Sequence, residues 1–315
     1  MTTSPMTARV RTVIADAQRQ PTPEGLARCA AYQPTANDVF LVTYPKAGTT
    51  LLQQMTYQLV TGGDMSFQYI DQVVPFFDMA HDRGITIDAN FPRTSPRLFK
   101  THLGHEKICW SPAARYIYVI RNPRDVVVSF FRFLQSFVFE HGDDFFPEFF
   151  DHIFMVPHSA GHLRWYFSHV RGWLEHRDDL NVLILTYEDL CADRMLGLQR
   201  IARFLSTTGR SFPIDPADPV FAMALERSSF GFMKAHEQQF ARQSNALYPR
   251  EGSKVRSGRG AEGEALVTEE QQQRINRELS RSLSGLFGCD QVTYDDVCVW
   301  VRQAFQRSEV DGRRT

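Results

Sequence analysis

Four short and almost unbroken apolar runs limit what this chain can fold into: "DVFLVTY" (Asp38 to Tyr44), "PRLFKTH" (Pro96 to His102), "ARYIYVI" (Ala114 to Ile120) and "NVLILTY" (Asn181 to Tyr187). A strand with one wet face alternates apolar and polar residues. A continuous run fits a strand covered on both faces, as in a parallel sheet. Helical spacing recurs between the runs, most clearly over Ser159 to Arg177, where Leu163, Tyr166, Phe167, Val170, Trp173 and Leu174 share a face. The expected architecture is α/β, a parallel sheet flanked by helices on both faces in three layers. Such sheets bind ligands beyond the carboxyl ends of their strands.

At 315 residues, 43% hydrophobic and 23% charged, the chain fits one large soluble domain. The expected division is an N-terminal helical or extended segment (1–37), one domain (38–300) with a mobile basic loop at 242–263, and a tail (301–315). The 35 basic and 36 acidic residues leave a net charge of -1. No global charge excess points to nucleic acid or a membrane surface, so any anion site is local. No run approaches the roughly 20 apolar residues of a membrane span, and the first residues lack a signal-peptide core, so a cytoplasmic protein is expected. The five cysteines are widely spaced without a Cys-x-x-Cys pair and are expected as free buried thiols.

After the first run comes "TYPKAGTTLLQQM" (Thr43 to Met55). Pro45 ends the strand, Gly48 allows a tight turn, and Thr49-Thr50 open a helix that turns Leu52, Met55 and Leu59 inward. The free first-turn amides, the helix dipole, Lys46 and two hydroxyls suit an anion. Taken alone, the loop is equally well an ordinary strand-turn-helix junction. After the third run, "RNPRDVVVSFF" (Arg121 to Phe131) reads as a capped helix start, with Asn122 at the cap and Pro123 first in the helix. Arg121 and Ser129 could grip a second phosphate there. Two anion sites at adjacent strand ends suggest a nucleotide phosphorylated at two positions.

These residues resemble the sulfotransferase family, in particular its cytosolic-type enzymes, over roughly Val39 to Gly263. "FKTHL" at Phe99 to Leu103, "SHVRGWLE" at Ser168 to Glu175, "LTYEDL" at Leu185 to Leu190, "SSFGFMK" at Ser228 to Lys234 and "VRSGRGAEG" at Val255 to Gly263 follow in the family's order. The resemblance implies 3′-phosphoadenosine 5′-phosphosulfate (PAPS) as donor and PAP as product, with no metal. It places the 5′-phosphosulfate at Lys46, Ala47, Gly48, Thr49 and Thr50, the 3′-phosphate at Arg121 and Ser129, and Leu51 beside the adenine. Tyr187, Ser228 and Phe230 would meet adenine. Arg256, Ser257, Gly258 and Arg259 would close over the 3′-phosphate, with Arg256 favoured over Arg259 as its ligand.

Sulfuryl transfer needs a base and positive charge on the leaving and transferring groups. The resemblance assigns the base to His102 and the charge to Lys46 and Lys100, with Ser129 beside them. Without that context His102 reads as a satisfied histidine at a strand end. His102 and His105, as "HLGHE", lack the spacing of a helical zinc motif. His162, His169 and His176 read as a polar stripe on one helix. Leu51 stands where the family commonly has an adenine-stacking tryptophan. Phe230 could stack instead, or be core. Phe76, Phe77, Phe137 and Phe139, with His102, are expected to line a pocket for a small hydrophobic alcohol or phenol. The family's dimer motif is not recognisable, so a monomer, or a dimer formed another way, is expected. The rival readings are a P-loop-type kinase, which would want Gly-Lys-Ser/Thr, and a non-catalytic nucleotide-binding protein of the same fold.

Overall fold

The computed structural model describes residues 12, 21–87, 91–137, 145–157, 159–160, 163–206, 210–241, 254–255 and 266–310. The four apolar runs form β1 (Asp38–Thr43), β2 (Arg97–Thr101), β3 (Arg115–Ile120) and β4 (Val182–Thr186), all parallel, in the order β2-β1-β3-β4. Their side chains alternate between two cores. Phe40, Val42, Phe99, Tyr116, Tyr118 and Ile184 point into one, while Val39, Leu41, Leu98, Ile117, Val119 and Leu185 point into the other. That is why the runs show no polar alternation. At the far edge from the strand C-termini, Asp38 and Arg97 are register partners and form a buried ion pair at 2.6 Å.

Helix α1 (Pro23–Ala31) packs on the first core through Cys29 and Leu26. On the same face lie α3 (Pro123–Phe137), α4 (Tyr166–Leu174) and the inner stripe of α9 (Glu269–Phe287), Ile275, Leu279 and Leu283. The second core receives α2 (Thr49–Thr61) through Leu52, Met55 and Leu59, together with residues of α5 (Tyr187–Ala192), α6 (Arg194–Ser206), α7 (Pro219–Arg227) and α8 (Phe230–Ala235). The order of the strands reverses beside β1, and the C-terminal ends of β1, β2 and β3 meet there. Three expected motifs therefore converge at one edge.

Four readings need correction. The helix expected over Ser159 to Arg177 begins only at Tyr166; Ser159–Ala160 instead pairs antiparallel with Leu163–Arg164. Trp165 stays extended, with ψ 138°, and its indole N–H donates to the Phe154 carbonyl at 2.9 Å, so that residue ends the hairpin rather than joining a helix. His169 is no part of a polar stripe: it is fully buried and hydrogen-bonded to the Tyr118 hydroxyl at 3.1 Å. His162 lies outside the described residues. Residues 301–310, read as tail, continue α10 (Tyr294–Val310), because Val297, Val301 and Phe305 recur every fourth residue and are buried. Cys289 is exposed, whereas Cys29, Cys109 and Cys298 are buried. Among the described residues no helix is long and apolar enough to cross a membrane.

Candidate active site

The β1–α2 junction is built for an anion. Lys46 has φ 71° and Gly48 φ 105°, two left-handed residues within three positions. Gly48 caps α2 through its backbone alone, having no side chain of its own to accept from the first-turn amides. Those amides therefore point outward from the positive end of a 13-residue helix. Gly48 is needed twice over: for its φ, and because a Cβ there would run into the Tyr187 ring.

Arg121 follows β3 and is 6% exposed. Its Nη1 donates to the Lys46 carbonyl at 3.1 Å, its guanidinium lies 4.3 Å from the centre of the Tyr187 ring, and its Nε has no partner among the described residues. A buried guanidinium nitrogen without an acceptor beside uncapped amides is an anion-binding arrangement. The turn is held from three sides. The Tyr166 hydroxyl donates to the Arg121 carbonyl at 2.5 Å, the Asn122 N–H donates to Glu188 at 3.0 Å, and the Tyr294 hydroxyl donates to the other Glu188 oxygen at 2.5 Å. Asn122 accepts from the Arg124 N–H at 3.0 Å, so it caps α3 as expected. Ser129 lies two turns along α3 from that cap and is partly exposed.

His102 stands just past the end of β2. Its Nδ1 lies 2.7 Å from the Thr43 carbonyl and 3.3 Å from the Thr43 hydroxyl, which is itself 2.6 Å from the Thr49 hydroxyl. A carbonyl only accepts, so Nδ1 carries the proton and the neutral ring keeps its lone pair on Nε2. The histidine is thereby tied to the β1–α2 loop through Thr43, the last residue of β1, with Nε2 as the nitrogen that can accept a proton.

Below it, Asp78 accepts from the His102 N–H at 2.8 Å and from the Thr101 hydroxyl. Burial lifts the Asp78 carboxyl to about 6, against the pull of those two donors. The edge of His102 meets the Phe76 ring at 5.0 Å, and Phe76 also carries Lys100 Nζ at 4.5 Å. Burial lowers Lys100 to about 8 even though Asp71, 3.2 Å away, favours its charge. Lys46 Nζ lies 4.5 Å over the Phe133 ring.

The fold thus brings Lys46, Gly48, Thr49, Arg121, Tyr187, Lys100, His102 and Phe76 to one end of the sheet. Ala47 is buried and Leu51 packs against the second core, while Thr50 sits in the first turn of α2. Ser228 is buried, its hydroxyl bonded to the Leu225 carbonyl at 3.3 Å. Phe230 is 38% exposed, so it is not a core residue. Phe77, expected in the pocket, is 1% exposed and packs on Tyr32, Phe40 and Phe99, which makes it core instead. Phe139, the Phe137 side chain, and Arg256, Ser257, Gly258 and Arg259 lie outside the described residues.

His105 stacks on His176 at 3.3 Å and meets the tilted Trp110 ring at 4.6 Å, and burial, then His176, lowers it to about 4. No group of three or more metal-ligating side chains forms among the described residues. Sequence reading missed Asp71 and Asp78. Both lie in the aromatic stretch before β2, where nothing local marks them as partners of Lys100 and His102.

A sulfotransferase domain matches residues 36–287. Sulfotransferase 4A1 of Mus musculus is 35% identical over 178 residues, 55% of this chain and 61% of that protein, so the match spans less than two thirds of its length. An amine sulfotransferase of Oryctolagus cuniculus is 29% identical over 248 residues, 76% of this chain and 79% of that one. In fold, the crystal structure of mouse sulfotransferase SULT7A1 complexed with PAP is similar at a TM-score of 0.62 and 22% identity, over 90% of this chain and 93% of that chain. With the family's domain covering most of its length, the chain belongs to the sulfotransferase domain family.

Proposed function

We propose that the protein transfers a sulfuryl group from PAPS to a hydroxyl or amine of a small hydrophobic molecule and releases PAP. The observation that carries this reading is the tie from His102 Nδ1 to Thr43 and on to Thr49, which joins a base-competent imidazole to an uncapped anion loop. The solved relative complexed with PAP supports the nucleotide, and the missing Gly-Lys-Ser/Thr ending speaks against a kinase.

The β1–α2 amides, Lys46 and the Thr49 and Thr50 hydroxyls hold the 5′ end of the nucleotide. Arg121 and Ser129 hold the 3′-phosphate, and Tyr187 and Phe230 offer faces for adenine. His102 Nε2 takes the acceptor proton as the acceptor oxygen or nitrogen bonds to sulfur. The sulfur–oxygen bond to the phosphate breaks in line, and Lys46 and Lys100 neutralise the charge on the leaving oxygen. No covalent enzyme intermediate and no metal enter the scheme. Phe76 and Phe133 present apolar faces to the acceptor. The protein is read as cytoplasmic, acting as a monomer or as a dimer formed without the family's usual motif.

Transfer of labelled sulfuryl from PAPS to a panel of phenols, alicyclic alcohols and aryl amines tests the reading. The wild type should label at least one class, and His102→Asn should lose about 10²- to 10⁴-fold in rate. No labelled product from a chain that binds PAP would leave a non-catalytic nucleotide binder.

A further inference from the structure

Asp71 is an anion placed where the proposed chemistry needs cations. It sits in the helical turn Ile70–Val73, on the α2 side of the sheet. Its Oδ1 accepts from Lys100 Nζ and Gln53 Nε2, each at 3.2 Å, and its Oδ2 accepts from Lys254 Nζ at 3.4 Å. The Lys100 and Lys254 side chains are only 10% and 14% exposed, so water screens these pairs far less than it would at the surface.

The placement bears on the reaction. Lys100 Nζ and the His102 ring contact the same Phe76 ring, so the carboxylate that holds Lys100 lies next to the proposed transfer site. Arg83 approaches Phe76 as well, its guanidinium 5.5 Å from the ring centre. Three cations face one carboxylate, and the cluster keeps positive charge for a second anion. That second anion has to share Lys100 with Asp71.

We propose that Asp71 is a positioning residue that competes with the sulfonate of the donor for Lys100. The inference rests on the donor being PAPS. Its consequence is that Asp71 weakens ground-state binding of the sulfonate, leaving the Lys100 contact to strengthen as charge moves onto the leaving oxygen. A binding site that held the sulfonate tightly from the outset would gain affinity without gaining rate.

The test is calorimetric titration of the full chain with PAPS and, separately, with PAP, comparing the ratio of the two affinities. Asp71→Asn should shift that ratio about tenfold toward PAPS, equivalent to about 1.4 kcal/mol. In a Lys100→Met background, Asp71→Asn should give no such shift. Lys254→Met leaves Asp71 to Lys100 and should move the ratio the opposite way, which keeps the test open if Asp71→Asn folds poorly. A merely structural Asp71 would weaken both ligands alike. An unchanged ratio in Asp71→Asn, or a gain that persists without Lys100, overturns the proposal while the donor reading stands. A wild type that binds neither nucleotide removes the donor reading and this inference with it.

Discussion

Gly48 shows what one residue contributes to the β1–α2 loop. Its φ of 105° and the Tyr187 ring beside it leave no room for a side chain. Gly48→Ala should cost about 1–2 kcal/mol in stability and weaken PAP binding, because the displaced Tyr187 no longer packs on Arg121. Chemical denaturation and calorimetry read the two effects separately. Asp78 gives a pH signature. Its folded carboxyl, lifted to about 6 by burial, holds a proton that the unfolded chain has released above about pH 4. Its contribution is therefore full below pH 4 and lost as pH rises through 6. Urea unfolding from pH 4 to 7 should show the wild type losing roughly 3 kcal/mol at most relative to Asp78→Asn. The placement of Lys46, Gly48, Arg121 and His102 at the strand ends was legible in the sequence because each lies inside a contiguous strand-end motif. Asp71, Asp78 and the role of Thr43 were not, since only folding brings them to Lys100 and His102. Adjacent aromatic residues also mislead: Phe76 pairs its backbone with Lys100 and turns its ring to His102, so Phe77 faces the opposite way, into the core.

Among the elements, the strands were the most legible, because two cores demand apolar residues on both faces of the sheet. Phe99 illustrates the constraint: it is fully buried, stacks on Phe40 at 5.3 Å and meets Tyr32 and Phe77 edge-on. Phe99→Ala should cost about 3–5 kcal/mol in urea unfolding. Where the chain stays folded, PAP affinity should change little, since the ring faces away from Lys100 and His102 on the same strand. The elements misread were those whose pattern served two structures. Leu163 fits the helical stripe that continues through Tyr166 and Val170, yet it lies in a two-residue strand. The last part of α10 reads as tail because residues 307–315, "RSEVDGRRT", are almost all polar, whereas the packing of Val297, Val301 and Phe305 against the cores carries the helix on to Val310.

At the scale of the whole molecule, a near-neutral chain concentrates its anion chemistry at one end of a parallel sheet. The loop after β1 and the arginine after β3 are neighbours because those strands pair, which is how one ligand can reach both. The fold class and that convergence followed from the sequence. The acceptor side did not, because its aromatic residues are spread over several segments. The central claim is a site for a nucleotide phosphorylated at both the 3′ and 5′ positions. Thermal melting with PAP, 5′-ADP and Mg-ATP in parallel tests it most directly, since a ligand at 100 times its dissociation constant adds about 2.7 kcal/mol. The account predicts a rise in Tm for PAP well above that for 5′-ADP, lost in Arg121→Ala and Lys46→Ala. No rise with PAP, or a rise with Mg-ATP alone, would contradict it.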